Sequence, residues 1–435
     1  MTTAAQTTES RLERYAELQR QLPKGDAFLR EFRGKGLEAF TSMGFPTTDQ
    51  EAWIYTNVAP IARTPFVLSQ SRVIDRAAIA EVSIRDTAVA ELVFVNGLFS
   101  TELSKLDATS GLEISPFDAT STHASKELFG QLATIDQPFV ALNAALLDHG
   151  VVIKASRRVI VAAPVHLLFV ATAQPQAQII SPRILIVAEE SSHVAVVETY
   201  TSLDRANYFT NSVTEVFVAE NADVDHTRVQ RESLHAFHVS TVAVRQARSS
   251  VYASHAMNFG GGLVRNDIKS LLAGEGSDCS LDGLFVLDGR QHVDNHTVID
   301  HATPHTTSNE LYKGILDGES RGIFDGSIIV RKAAQKTSSR QTNNNLLLSD
   351  SAIVDTKPQL EIYADDVKCN HGSTIGQLNE EALFYLQSRA IGADDARSLL
   401  TYAFASEVVS RVKVAAVRDQ LSAMLLNQLP GARNS

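Results

Sequence analysis

The chain has 435 residues, 44% of them hydrophobic, and a formal net charge of −11 at pH 7. That length can bury a sizeable core in roughly two to four domains, which excludes disorder as the default state, and the acidic balance excludes a general nucleic-acid binder, whose phosphate contacts need concentrated Lys and Arg. Two cysteines, Cys279 and Cys369, could form one bridge but exclude a disulfide framework, so a reducing, cytoplasmic compartment is expected.

At the amino terminus residues 1–10 are polar and lack the apolar segment of a signal peptide. Leu12, Tyr15, Leu18 and Leu22 have helical spacing and predict a helix over 11–21, ended by Pro23 and Gly25. A second helix is expected over about 26–43, capped by Asp26, with Phe28, Leu29, Phe32, Leu37 and Phe40 on its apolar face and Gly44 interrupting it. The segment 49–57 carries the only tryptophan, Trp53, which reads as a packing anchor.

From about Ala88 short β-rich runs follow one another at 92–95, 151–153, 159–162, 167–170, 184–187, 194–197, 213–218 and 239–244, with a short helix at 142–147. The most apolar window, 159–173, contains Pro164 and His166 and is shorter than the roughly 20 residues of a membrane-spanning helix; it reads as buried strands, and no membrane partner is expected. Helical periodicity is scarce beyond Val151, which argues against βαβ crossovers. Polar corners at 188–194, 219–224, 273–279, 317–323 and 349–354 echo one another between apolar runs. Stacked strand-and-corner coils suit a parallel β-helix or solenoid, although the irregular spacing alone leaves a sandwich or barrel open.

After Gly372 the helical period returns. Ala382, Leu383, Tyr385 and Leu386 fit one helix with Glu380 and Glu381 in its first turn, Asp394 or Asp395 begins another through Phe404, and a run over 408–429 continues through Val412, Val417, Leu421, Leu425 and Leu429. The expected organisation is a helical region at 1–90, a mixed connection at 91–150, a β core at 151–373 and a helical domain at 374–435.

The chemistry-bearing pattern is Asp365-Asp366-Val367-Lys368-Cys369-Asn370-His371-Gly372. On a strand Cys369 and His371 share a face about 6.5–7 Å apart, a separation that two metal ligands can bridge, and thiolate with imidazole suits iron, zinc or copper. Two ligands are too few for a closed site, so any others come from elsewhere. The spacing alone is met more simply by a structural cysteine beside an unrelated surface histidine. His292, His296, His301 and His305 are dense enough to hold a metal, with Asp294 or Asp300 orienting a ring, but interior hydrogen bonding explains them more simply. Gly260-Gly261-Gly262 reads as a turn, with Arg265 and Asp267 close enough to pair, and neither a P-loop nor a Gly-x-Ser-x-Gly elbow is present. No catalytic or cofactor-binding residue is assigned.

Residues 360–386, with the Asp365–Gly372 pattern at their centre, together with Leu311-Tyr312-Lys313-Gly314-Ile315-Leu316-Asp317-Gly318, the histidine-rich segment, Gly44-Phe45-Pro46-Thr47-Thr48 and Trp53-Ile54-Tyr55-Thr56-Asn57, resemble the SufB/SufD family of iron-sulfur cluster assembly scaffolds, most closely on its SufD side. The resemblance covers most of the chain. It implies a mainly β fold, a right-handed parallel β-helix flanked by N-terminal and C-terminal α-helical regions. It also implies a non-catalytic subunit of a SufBCD complex, pairing with a SufB-like scaffold at the β-helical ends or with itself as a homodimer in isolation. The C-terminal helices would receive a SufC-like ATPase, which hydrolyses the ATP. His371 is the first and Cys369 the second candidate metal ligand at a shared interface. No cofactor is expected to bind the chain stably alone; iron or a nascent cluster would pass through the interface, and a reduced flavin belongs with the SufB-containing complex. Asn370, Ser373 and Asn379 stand where the family often has serine, alanine and aspartate, and Ile54 replaces a frequent lysine. Two other functions were weighed: a SufB-like scaffold that itself carries the nascent cluster, and a β-helical polysaccharide-active enzyme, for which no convincing carboxylate pair is present.

Overall fold

The computed structural model describes residues 2–107, 109–118 and 125–428. From Arg183 onward the chain passes alternately between two parallel sheets, each strand before the last coil pairing with the strand two places on. The first sheet runs through Gly150–Ala155, Arg183–Ala188, Tyr208–Val218, Phe237–Gln246, Leu263–Leu272, His292–His301, Arg321–Val330 and Ile353–Ile362. The second runs through Val165–Ala171, His193–Ser202, Asp223–Arg231, Val251–Asn258, Asp278–Leu287, Thr307–Leu316, Ser338–Leu347 and Lys368–Gly376. Leu263 pairs with His292 and His292 with Arg321, so one coil there takes 29 residues (292 − 263 and 321 − 292). This is a parallel β-solenoid. Alternate residues of both sheets, among them Val194, Val216, Val244, Tyr252, Ile268, Leu281, Tyr312 and Phe324, meet in the space between.

The corners repeat as the sequence echo suggests. Arg158, Ser191, Asn221, Ser249, Gly276, His305 and Lys336 all adopt left-handed φ values. The N–H of each donates to a carbonyl in the next coil: Arg158 to Glu190, Ser191 to Glu220, Asn221 to Arg248, Ser249 to Glu275, Gly276 to Pro304, His305 to Gln335 and Lys336 to Asp366. Six of the seven are not glycine, and the repeated hydrogen bond offsets the steric cost of that conformation. The expected strand at 159–162 is reduced to one bridge, Ile160 to His193. Pro164 has no N–H with which to extend that ladder.

At its amino-terminal end the solenoid is closed by antiparallel strands, Leu98–Leu106 on Ala90–Val95 and Leu112–Phe117 on Gly150–Ala155. Helices cover the two outer faces. Thr2–Gln21, longer than the 11–21 expected, Ala27–Met43 and Pro138–Ala145 cover the first sheet, where Tyr15, Phe40, Trp53 and Phe139 pack with Phe209, Val239 and Leu263. Asp26 caps Ala27–Met43 by accepting from Leu29 N–H at 2.8 Å, and Gly44 ends it at φ 69°. At the other end Glu380–Ser388, Ala393–Val409 and Ala415–Gln428 follow the last coil. The second and third of these fold back over the second sheet, setting Ala405, Val408, Val417, Leu421 and Leu425 on Val197, Met257, Leu284 and Ile315. The run expected over 408–429 is thus broken: Val408 and Val409 finish one helix, and the next begins at Ala415. The intervening turn reaches down to the sheet, with Arg411 Nη1 2.7 Å from Asp282 Oδ1 and Lys413 Nζ 3.6 Å from Asp225 Oδ2. Leu429 lies outside the described residues. None of the described helices is long and apolar enough to cross a membrane.

Candidate functional site at the open coil

Among the described residues the carboxyl-terminal end of the solenoid has no cover like that at its start. Ile353–Ile362 and Lys368–Gly376 are the outermost strands of their sheets, each paired on one side only. Ile353, Ile362, Tyr363 and Ile375 are exposed there, Ile353 to 53% and Ile375 to 50%. The adjoining helix Glu380–Ser388 buries none of its residues and exposes Phe384 and Tyr385. A long uncovered edge with apolar side chains is a template for another chain.

Cys369 and His371 lie on this last strand, and the alternation puts them on one face. In register Cys369 stands beside Ser339 and His371 beside Gln341. Cys369 is half-buried against the solenoid interior, and that burial raises its thiol pKa, with a backbone hydrogen bond from Ser339 opposing the shift. It becomes a ligand only when a metal or a positive group draws off its proton. His371 is exposed. Asp366 pairs with Lys336 and accepts its backbone N–H, which makes the acidic pair part of the last corner.

One step inward the column continues from Cys369 to Ser339, then Ser308, then Cys279. The two cysteines therefore stand three ladder steps apart, roughly 14 Å at strand spacing, too far for the bridge that the sequence leaves open. Both are free. Burial pushes the Cys279 thiol up to about 12, so it stays protonated and unreactive. Beside this column Glu310, Gln341 and His371 form another. Burial pushes the Glu310 carboxyl up to about 7, with the hydrogen bond from Gln341 opposing the shift. Glu310 and Gln341 escape sequence reasoning; the signal for Glu310 is a polar residue at every second position of 308–312, at the start of the Leu311–Gly318 motif.

The histidine-rich segment does not gather into a site. His292 and His296 face outward from the first sheet, His301 faces the interior and His305 occupies a corner. Burial lowers the His301 pKa to about 4, and its neutral ring bonds Thr306 and Ser308 at 2.7 and 2.9 Å. Asp300 pairs with Arg331. Asp294 does hold His296, at 3.0 Å, but its other oxygen accepts from Arg265 and from Thr56, 2.7 and 2.5 Å away. Arg265 also pairs with Asp267, donates to the Ala52 carbonyl and lies 4.2 Å from the Trp53 ring centroid. Two motifs that are far apart in sequence are thus one structural joint, docking the Trp53–Thr56 segment on the outer face of the first sheet. Among the described residues no three His, Cys, Asp or Glu side chains are arranged to hold a metal ion. The Gly260–Gly262 run is a corner, where a Cβ on Gly260 would meet the Glu232 carbonyl at 2.3 Å.

A solenoid with one closed end, one open end and flanking helices defines an assembly protein more readily than a pocket enzyme. Family models match over nearly the whole length: the core domain of SufBD proteins of the SUF iron-sulfur cluster assembly system over residues 169–404, and the SufBD amino-terminal region over 6–167. The chain is 33% identical over 408 residues to an iron-sulfur cluster assembly SufBD family protein of Synechocystis, covering 91% of this chain and 90% of that protein. It is 31% identical over 397 residues to the iron-sulfur cluster assembly protein SufD of Escherichia coli (91% and 92%), and 29% identical over 294 residues to SufD of Bacillus subtilis (67% and 66%). The chain belongs to the SufBD family of iron-sulfur cluster assembly proteins.

Proposed function

We propose that this chain is a SufD-type, non-catalytic subunit whose open coil pairs with a SufB-type scaffold and contributes His371, with Cys369 behind it, to an iron-handling site shared across the interface. The observation that carries this reading is the coincidence of the unpaired sheet edge, its exposed Ile353, Ile362 and Ile375, and the Cys369/His371 strand in one place. Iron or the nascent cluster is cargo here, and the remaining ligands come from the partner. Neutral imidazole binds ferrous iron without first losing a proton, which ranks His371 above a thiol whose pKa is raised. The C-terminal helices, anchored on the second sheet, are the docking site for a SufC-type ATPase, with ATP and any reduced flavin held by the partners. The role of the cluster-bearing scaffold is disfavoured by a thiol supply of one buried inert cysteine and one half-buried cysteine. Family membership leaves the polysaccharide enzyme without support.

Anaerobic co-purification with a SufB-type scaffold and a SufC-type ATPase tests the reading, comparing wild type with His371→Ala and Cys369→Ala. The expected result is an intact complex in both variants, with iron content reduced severalfold in His371→Ala and less in Cys369→Ala. Unchanged iron in His371→Ala defeats the site, and a fully active isolated monomer defeats the subunit role.

A further inference from the structure

Glu310 pairs in register with Gln341, and Gln341 with His371. Neighbours in such a ladder are about 4.8 Å apart, within reach of side-chain hydrogen bonds. Glu310 and Gln341 are completely buried. Gln341 donates from Nε2 to Glu310 Oε2 at 2.7 Å, which pins the amide, while its Oε1 is enclosed without a hydrogen-bond partner. An orphaned buried acceptor costs about 1–3 kcal/mol and calls for a donor. Several nearby donors are engaged elsewhere, Asn343 Nδ2 with the Tyr312 carbonyl, Asn345 Nδ2 with Asn343 Oδ1, and the Ser308 and Ser339 hydroxyls with each other, while the unpartnered Thr297 and Tyr312 hydroxyls make no hydrogen bond to Gln341 Oε1. On the side away from Glu310 the next side chain in the column is His371, whose neutral ring carries one N–H and one lone pair.

We propose that Gln341, pinned by Glu310, is the positioning residue for His371: the imidazole turns inward, gives one ring N–H to Gln341 Oε1 and presents its unprotonated nitrogen at the open face as a ligand for a divalent metal ion. A ligating histidine is commonly oriented in this way by an acceptor on its other nitrogen, which sets the tautomer and the ring direction. The chemical significance of the arrangement rests on His371 being the iron-handling residue, but the tautomer itself does not.

The test uses the full-length, metal-free chain with 15N-labelled histidine, the His371 ring signals being assigned by their loss in His371→Gln. Wild-type His371 is expected to show two distinct ring nitrogens in its neutral form, one protonated and one not. Gln341→Met, which keeps the length and removes the acceptor, collapses them toward the averaged signals of a free imidazole, and Gln341→Glu restores the split. Glu310→Met, which removes the acceptor of the Gln341 Nε2 hydrogen bond, unpins the amide and reduces the split, which keeps the proposal testable should Gln341→Met fail to fold. Averaged signals in wild type, or an unchanged split in Gln341→Met, overturn it. Because this readout needs no iron, a locked tautomer combined with undiminished iron in the His371→Ala complex would uphold the positioning and defeat the iron assignment alone.

Discussion

At the scale of single residues the solenoid holds ionisable groups whose partners sit one coil away. His255 lies between Asp225, 3.5 Å from its Nε2, and Asp282, 3.4 Å from its Nδ1, and these carboxylates also meet Lys413 and Arg411 from the turn above. Burial disfavours the charged ring, but the ion-pair contacts with Asp225 and Asp282 outweigh it and push the pKa up to about 9. In an unfolded chain the value is about 6.5. A raised histidine pKa contributes stability that is fully present below the unfolded value and lost as pH rises through the folded one. Wild type should therefore exceed His255→Gln in unfolding free energy at pH 6, and the gap should shrink by an order of 2–3 kcal/mol by pH 10 in urea titrations. A gap constant with pH would mean that His255 is neutral in its cage.

Elements show where sequence patterns suffice and where they stop. The helix at 27–43 is legible from apolar spacing and its cap, Asp26, because it buries one stripe, and that at 380–388 from its helical period and the Glu380/Glu381 charge in its first turn; its cap, Asn379, emerges only in the structure. Ser338–Leu347 is not legible as a core strand: Ser339, Gln341, Asn343 and Asn345 fill its inward positions, so the expected apolar alternation is replaced by hydrogen-bonded polar side chains. The same substitution hides Gln341 behind His371, whereas the pair Cys369/His371 is visible in the sequence because its residue types are rare. Helix packing gives a paired prediction two residues apart. A Cβ on Gly36 would meet the Ala145 backbone nitrogen at 2.6 Å and the Ala141 carbonyl at 2.8 Å, whereas one on Gly34 has nothing within 4 Å. Gly34→Ala should stabilise by about 0.5–1 kcal/mol through helix propensity, and Gly36→Ala should destabilise by about 1–3 kcal/mol through overpacking. Denaturant midpoints moving in the same direction would contradict this packing.

For the whole molecule, the two helical regions lie on opposite outer faces and leave the carboxyl-terminal edge free. Replacing an exposed side chain there should change stability by no more than about 0.5 kcal/mol. Ile375→Lys is accordingly expected to melt like wild type and to lose co-purification with a SufB-type scaffold, through a buried lysine in the joint interface. Retained pairing would place the partner elsewhere. Among the described residues the left-handed corner ladder ends where Lys336 bonds Asp366, and the last coil there offers its backbone groups outward. On the proposed reading a second polypeptide covers it. Copies made in excess of that partner expose the edge to each other and to unrelated strands, so a cell benefits from synthesising the two in matched amounts and from clearing whichever remains single.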